Sequence, residues 1–268
     1  MPKTIILKLG GSIITQKKLG KPVLKTAFVK KTAKQIAGAL RQKPKLKLIL
    51  LNGAGSFGHP LVYKYKLKNR KIETYSLRNI AEVITTLRNL GNQIAKIFAE
   101  TGLPLVPLQT SSLFERQRDK TILRNFSVLE TIVKRGGTPL LGGDLVLGGS
   151  DKVYILSADE IAVILAKKIK SSQILFATDV EGVYKNFPPS RSERPMKLLD
   201  RKELNSLIKK HGAIEKMGAN DVSGQMPGKL KQLAFLKNKK AFVFNGQRPY
   251  LISKVLIGQT VKGTTVLL

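Results

Sequence analysis

Short unbroken apolar runs alternate along this chain with longer stretches whose apolar residues recur every three or four positions. Lys3 to Leu9 predicts a first strand, closed by Gly10-Gly11. Phe28, Thr32, Ile36 and Leu40, with Val29, Ala33 and Ala37 beside them, predict a helix. Leu46 to Leu51 predicts a second strand. From Ser76 to Glu100, the positions Leu77, Ile80, Ala81, Ile84, Leu87, Ile94 and Ile97 predict a long amphipathic helix ended by Gly102. Leu103 to Leu108 and Thr138 to Leu141 are two further strands.

After Gly142-Gly143-Asp144, the runs Leu145–Leu147 and Val153–Leu156 flank Gly148-Gly149-Ser150-Asp151, a hairpin pattern. Ser157-Ala158-Asp159-Glu160 has the form of a capping box ahead of a helix carrying Ile161, Leu165 and Ile169. Gln173 to Ala177 predicts a strand leading into Thr178-Asp179. Phe187 to Pro195 reads as a surface loop. Asp200 caps a helix through Leu204, Leu207 and Ile208 that ends at Gly212. Leu230, Leu233 and Ala234 mark another helix, and Ala241–Phe244 and Thr264–Leu268 close the chain as strands. Strands alternating with helices predict an α/β fold with a mostly parallel central sheet. With no repeat and no linker, the expectation is a single domain over 1–268, with approximate lobes 1–150 and 151–268.

Composition narrows the function classes. The 268 residues suffice for a real core. The absence of cysteine excludes disulfides and thiolate metal sites. No apolar run approaches the ~18 residues of a membrane span, and the start lacks the apolar core of a signal peptide, so the expected location is cytoplasmic. Lys+Arg 48 against Asp+Glu 17 gives a net charge of +31. Such a charge suits nucleic acid or anionic metabolites. The lysines are spread along the whole chain, however, and aromatics make up only 6% without interleaving with them, which disfavours a base-stacking surface.

Three glycine-rich segments point to anions. Asn52-Gly53-Ala54-Gly55-Ser56-Phe57-Gly58-His59-Pro60 follows the second strand and ends on one of only two histidines. Glycines there let the backbone turn and aim N–H groups at a phosphate. The segment formally matches Gly-x-Gly-x-x-Gly, but it follows the wrong strand and lacks the acid expected about 20 residues on. Lys8-Leu9-Gly10-Gly11-Ser12 places an ammonium beside a second such turn. Lys8 interrupts an otherwise apolar strand, and an unpaired charge there is costly, so an anionic partner is expected. Lys17 and Lys18 could reach the same place. Gly224-Gln225-Met226-Pro227-Gly228-Lys229 opens a helix, whose N-terminus attracts phosphate. It is not a Walker A loop, because Leu230 stands where a magnesium-holding Ser or Thr would be. Asp144, Asp159, Asp179 and Asp221 each follow a strand or turn and could orient lysines or hold magnesium. No Ser-His-Asp set and no metal-ligating histidine spacing is present, and His211 falls in a polar helix end.

Lys8-x-Gly10-Gly11-Ser12, the Gly53 loop, Ser157-Ala158-Asp159, Thr178-Asp179-Val180-Glu181-Gly182-Val183-Tyr184 and Gly228-Lys229 together resemble the amino-acid kinase superfamily. The motifs occur in order over essentially the whole chain. Gly-Ser-Phe-Gly-His-Pro, Ile13-Ile14-Thr15 with Lys17, and Asp221-Val222-Ser223-Gly224 with Met226 resemble its isopentenyl phosphate kinases more narrowly. The resemblance implies a three-layer sandwich and an ATP- and Mg2+-dependent transfer of a phosphoryl group to isopentenyl phosphate by a homodimer. It implies that Lys8 neutralises the migrating phosphoryl group and that Gly10, Gly11 and Ser12 hold ATP phosphates. Lys17 would act at the transition state. Ala54 and Gly55 would present N–H groups to substrate phosphate and ATP, with Ala158 also on the substrate side. His59 would hydrogen-bond the substrate phosphate, and Asp159 would position Lys8 and Lys229. Asp179, Tyr184, Gln225 and Lys229 would flank the nucleotide. The helix carrying Leu77, Ile80, Ile84 and Leu87 would wall the apolar tail.

Four positions depart from that pattern. Gln16 replaces an acid, and Ala54, Ala158 and Gln225 replace glycines. Alanine keeps the N–H but adds a methyl. The alternatives are a relative acting on fosfomycin or an acylated amino acid, and a non-catalytic nucleic-acid-binding relative.

Overall fold

The computed structural model describes residues 4–16, 21–67, 76–117, 120–148, 152–170, 172–186, 189–190, 192–216 and 225–268. Lys17, Lys18, the hairpin tip at 149–151, part of the loop at 187–195, and the segment 221–224 with Asp221 lie outside the described residues, as do the side chains of His211 and Gln225.

The first half begins with β1 (Thr4–Leu9), α1 (Gly11–Ile14), α2 (Thr26–Gln42), β2 (Lys47–Asn52), α3 (His59–Lys64) and α4 (Leu77–Ala99). It continues with β3 (Leu105–Pro107), α5 (Thr110–Leu113), the hairpin β4 (Phe114–Gln117) and β5 (Lys120–Leu123), α6 (Phe126–Lys134), β6 (Thr138–Gly142), and the hairpin β7 (Asp144–Gly148) and β8 (Lys152–Leu156). The second half holds α7 (Ala158–Lys168), β9 (Ser172–Thr178), β10 (Leu198–Leu199), α8 (Arg201–Lys216), α9 (Gln225–Leu233), β11 (Lys240–Asn245), α10 (Leu251–Ile257) and β12 (Thr264–Leu267).

Eight strands form one sheet in the order β10-β12-β11-β9-β1-β2-β6-β3. Six neighbours, from β11 to β3, run parallel; β12 is antiparallel to β11, and β10 follows β12. Side chains of one strand alternate between two apolar layers. Ile6, Ile49 and Leu51 pack with Leu129 of α6, Ile161 and Leu165 of α7, Leu204 of α8 and Leu230 of α9. Ile5, Leu7, Leu48 and Leu50 pack on the other face with Ile36 of α2, Ile94 of α4 and Ile252 of α10. The three layers are therefore helix, sheet, helix. A smaller cluster of Val62, Ile80, Val83, Leu145 and Val153 seats the β7–β8 hairpin on α3 and α4.

Local chemistry sets the helix ends. Ser76 Oγ accepts from Arg78 N–H to cap α4. Asp200 and Glu203 form a reciprocal capping box on α8. At α7, Ser157 Oγ accepts from Glu160 N–H, but the Glu160 carboxylate accepts from Thr121 Oγ1 at 2.8 Å instead of closing the box. Helix α8 does not end at Gly212 but runs on to Lys216. One interior glycine costs only about 1 kcal/mol and does not by itself stop a helix.

Candidate active site

The sheet places β1 between β2 and β9, all parallel, so the turns leaving these strands share one edge. Crevices at the carboxyl ends of strands, where the chain switches direction across the sheet, are where open α/β folds bind ligands. A cavity of about 460 Å³ opens there. Gly10, Gly11 and Ser12 line it from the turn after β1, and Gly53 to Ser56 with Gly58 and His59 from the turn after β2. Leu145 and Ile155 come from the β7–β8 hairpin, Ala158 and Asp159 from the start of α7, Asp179 from the turn after β9, and Met226 and Lys229 from α9.

One carboxylate oxygen organises the floor. Asp159 Oδ1 is 3.0 Å from Lys8 Nζ and 2.8 Å from Lys229 Nζ. Lys8 stands in β1 with Leu51 and Phe176 as its register neighbours, which keeps its stem among apolar side chains. Lys229 Nζ also lies 4.1 Å from the centre of the Phe176 ring. Burial alone would raise the Asp159 carboxyl, but the two ammonium groups outweigh it and hold the group well below the usual carboxylate range. Burial pulls Lys229 down to about 8; Asp159 opposes that fall and Lys8 adds to it. Two buried cations against one carboxylate leave a net positive charge facing the cavity, one that an anion would balance.

The other residues singled out in the sequence fall around this floor. His59 opens α3 at the mouth, with Pro60 behind it in the first turn. The Ala54 methyl points at Gly58, where a Cβ would come within 2.7 Å of it. A glycine at 58 thus makes room for the alanine at 54. Ala158 is buried at the first position of α7. Tyr184 is half-buried and off the cavity wall; burial pushes its phenol up, with Glu181 adding to the rise. Asp144 is on the wall but meets neither lysine. Its oxygens accept from Ser111 N–H and Leu145 N–H, which ties α5 to the hairpin, and burial raises its pKa. Of the proposed apolar wall on α4, Leu87 alone lines the cavity among the described residues. Leu77 is exposed, and Ile80 is buried under the hairpin. Val62, Leu145 and Ile155 supply the apolar lining instead. The hairpin was legible as a hairpin, but nothing in its pattern assigned it to a pocket.

Comparison with known proteins follows the same lines. The model of the amino acid kinase family matches residues 3–245. The chain is 34% identical to an isopentenyl phosphate kinase of Methanocaldococcus jannaschii, over 97% of each chain. It is 27% identical to one of Methanothermobacter thermautotrophicus, over 98% of each. A crystal structure of an isopentenyl phosphate kinase superposes with a TM-score of 0.80 at 25% identity, covering 98% of this chain and 99% of that one.

Proposed function

The chain belongs to the amino acid kinase family and groups there with isopentenyl phosphate kinases, and from that membership we propose that it phosphorylates isopentenyl phosphate with ATP to give isopentenyl diphosphate. The observation that carries the reading is the buried Lys8–Asp159–Lys229 set beneath two glycine turns. Two phosphates must be brought together, and this floor neutralises the charge between them.

In this reading ATP lies along Gly10–Ser12, Asp179 and α9, and the acceptor phosphate lies on Ala54 and Gly55 under His59. An oxygen of the acceptor phosphate attacks the γ-phosphorus; the bond from that phosphorus to the bridging oxygen breaks, and ADP leaves. The acceptor oxygen is already ionised at neutral pH, so no strong general base is needed, and His59 serves as a hydrogen-bond donor. Lys8 and Lys229 stabilise charge as it moves, and Lys17 assists them. The five-carbon tail lies against Val62, Leu87, Leu145 and Ile155. Among the described residues no group of three His, Asp or Glu side chains gathers to hold a metal. Magnesium carried by the nucleotide would supply charge neutralisation at its phosphates, with Lys8 and Lys229 acting beside it. Residues 1–150 contribute most of the acceptor side and 151–268 most of the nucleotide side. A cytoplasmic homodimer is part of the proposal; no helix among the described residues is long and apolar enough to cross a membrane.

The test is ADP release over a panel of small phosphates, phosphonates and carboxylates. Release that depends on isopentenyl phosphate is expected. Turnover of a carboxylate or phosphonate, with none of isopentenyl phosphate, would overturn the substrate assignment.

A further inference from the structure

Two turns meet at the cavity floor, and one buried hydroxyl joins them. Thr15 follows α1, is fully buried, and pairs with Leu24 in an isolated antiparallel bridge. Its Oγ1 donates to the Gly11 carbonyl at 2.8 Å and accepts from Ser56 N–H at 3.0 Å. Gly11 belongs to the turn after β1, and Ser56 to the turn after β2. The Thr15 N–H donates to the same Gly11 carbonyl at 2.9 Å.

The surroundings hold this bridge in place. Ser56 Oγ accepts from Val23 N–H, and Lys25 Nζ donates to the Ser12 carbonyl at 2.9 Å. The two turns touch backbone to backbone: a Cβ on Gly11 would lie 2.5 Å from Gly55 N, and one on Gly53 would lie 2.6 Å from Gly11 N. A Cβ on Gly55, whose φ is +50, would lie 2.1 Å from Thr15 Oγ1. Glycine at 55 is thus the counterpart of threonine at 15.

A hydroxyl carries one proton and two lone pairs, so a single oxygen can link one acceptor to one donor. Valine has the same shape and can make neither bond. Thr15 itself is off the cavity wall. We infer that Thr15 is a positioning residue for phosphoryl transfer, its hydroxyl fixing the separation between the turn that holds the donor phosphates and the turn that holds the acceptor phosphate. The assignment of one phosphate to each turn rests on the proposed function. In-line transfer depends on a near-attack distance, and a displacement of about 1 Å can lower the rate about 100-fold.

The experiment compares the native protein with Thr15→Val and Thr15→Ser. Steady-state kinetics are measured with ATP and whichever acceptor the native protein turns over, alongside thermal midpoints and hydrogen exchange of the Ser56 amide. Thr15→Val should lower kcat by about 30- to 100-fold, with KM for ATP and acceptor each within about threefold, because each turn still binds its own phosphate. Thr15→Ser should restore kcat to within about threefold of native, since serine keeps both bonds. The Ser56 amide should exchange faster in Thr15→Val and at the native rate in Thr15→Ser. A native kcat in Thr15→Val, a loss confined to KM, or a serine variant as slow as the valine one at equal thermal midpoint would overturn the inference. Failure of the native protein to use isopentenyl phosphate would instead strike the proposed function. With no acceptor turned over at all, equal Ser56 exchange in the three proteins would still overturn the bridge, and faster exchange in the valine variant alone would support it.

Discussion

Lys229 lies 70 residues beyond Asp159 in the chain, and its ammonium is 2.8 Å from that carboxylate. The same oxygen holds Lys8, so removing one carboxylate uncouples two buried cations. Asp159→Asn should lower kcat by at least about 100-fold and destabilise the fold by about 3 kcal/mol, because breaking a buried pair leaves its partners uncompensated. Kinetics and denaturant unfolding measure the two effects. In the native protein, Asp159 is held below its ordinary range, so its pairing stabilises the fold above that range and the contribution is lost as pH falls through and below it.

The lowered Lys229 should give activity an alkaline limit. Its ammonium is present below about 8 and lost above it, and the ammonium is the form that binds phosphate. The profile of kcat/KM for ATP, which reports the free protein, should fall as pH rises through about 8. Lys229→Gln should have low activity and lack that limb. A profile flat to pH 10 in the native protein would contradict the assignment.

His59 should act on the acceptor and leave the nucleotide alone. His59→Ala should lower kcat/KM for the acceptor by about 100-fold or more with the fold intact, on the scale set by losing a hydrogen bond made to a charged group in the transition state. The affinity for ATP, measured by calorimetry, should stay within about threefold. An equal loss for both ligands would place His59 elsewhere in the mechanism.

Gly55 is constrained by its own backbone and by its neighbour. Its φ of +50 disfavours any side chain, and an added Cβ meets Thr15 Oγ1 at 2.1 Å. Gly55→Ala should destabilise the protein by about 2 kcal/mol, whereas Gly38→Ala, in open space within α2, should be neutral or stabilising. Thermal midpoints of the two variants distinguish a local constraint from a general dislike of alanine.

Much of the central sheet was legible because its strands are continuous apolar runs, which a strand buried on both faces requires. Lys8 stood out for the same reason, as a charge inside such a run. The short elements α3 and α5, the β4–β5 hairpin, α6 and α10 were not read from the pattern. Helices of four to nine residues span too few turns for a periodic stripe to separate from chance. Within the site, glycine spacing marked both turns, but the bond from Thr15 to Ser56 joins residues 41 apart and leaves no local signature. The apolar stripe of α4 marks a buried face without saying what covers it, and the β7–β8 hairpin covers Ile80 while Leu87 reaches the cavity. Tyr184 follows a strand end as Asp179 does, yet the turn carries it off the cavity wall.

In the proposed reaction a phosphoryl group passes directly from ATP to isopentenyl phosphate on this floor. It is tested most directly by incubating the protein with isopentenyl phosphate and ATP labelled in its γ-phosphoryl group, and following the label. The label should appear in the terminal phosphate of isopentenyl diphosphate, one for each ADP formed, and Asp159→Asn should nearly abolish the transfer. Label found only in inorganic phosphate, or in an unrelated acceptor with isopentenyl phosphate recovered unchanged, would contradict it.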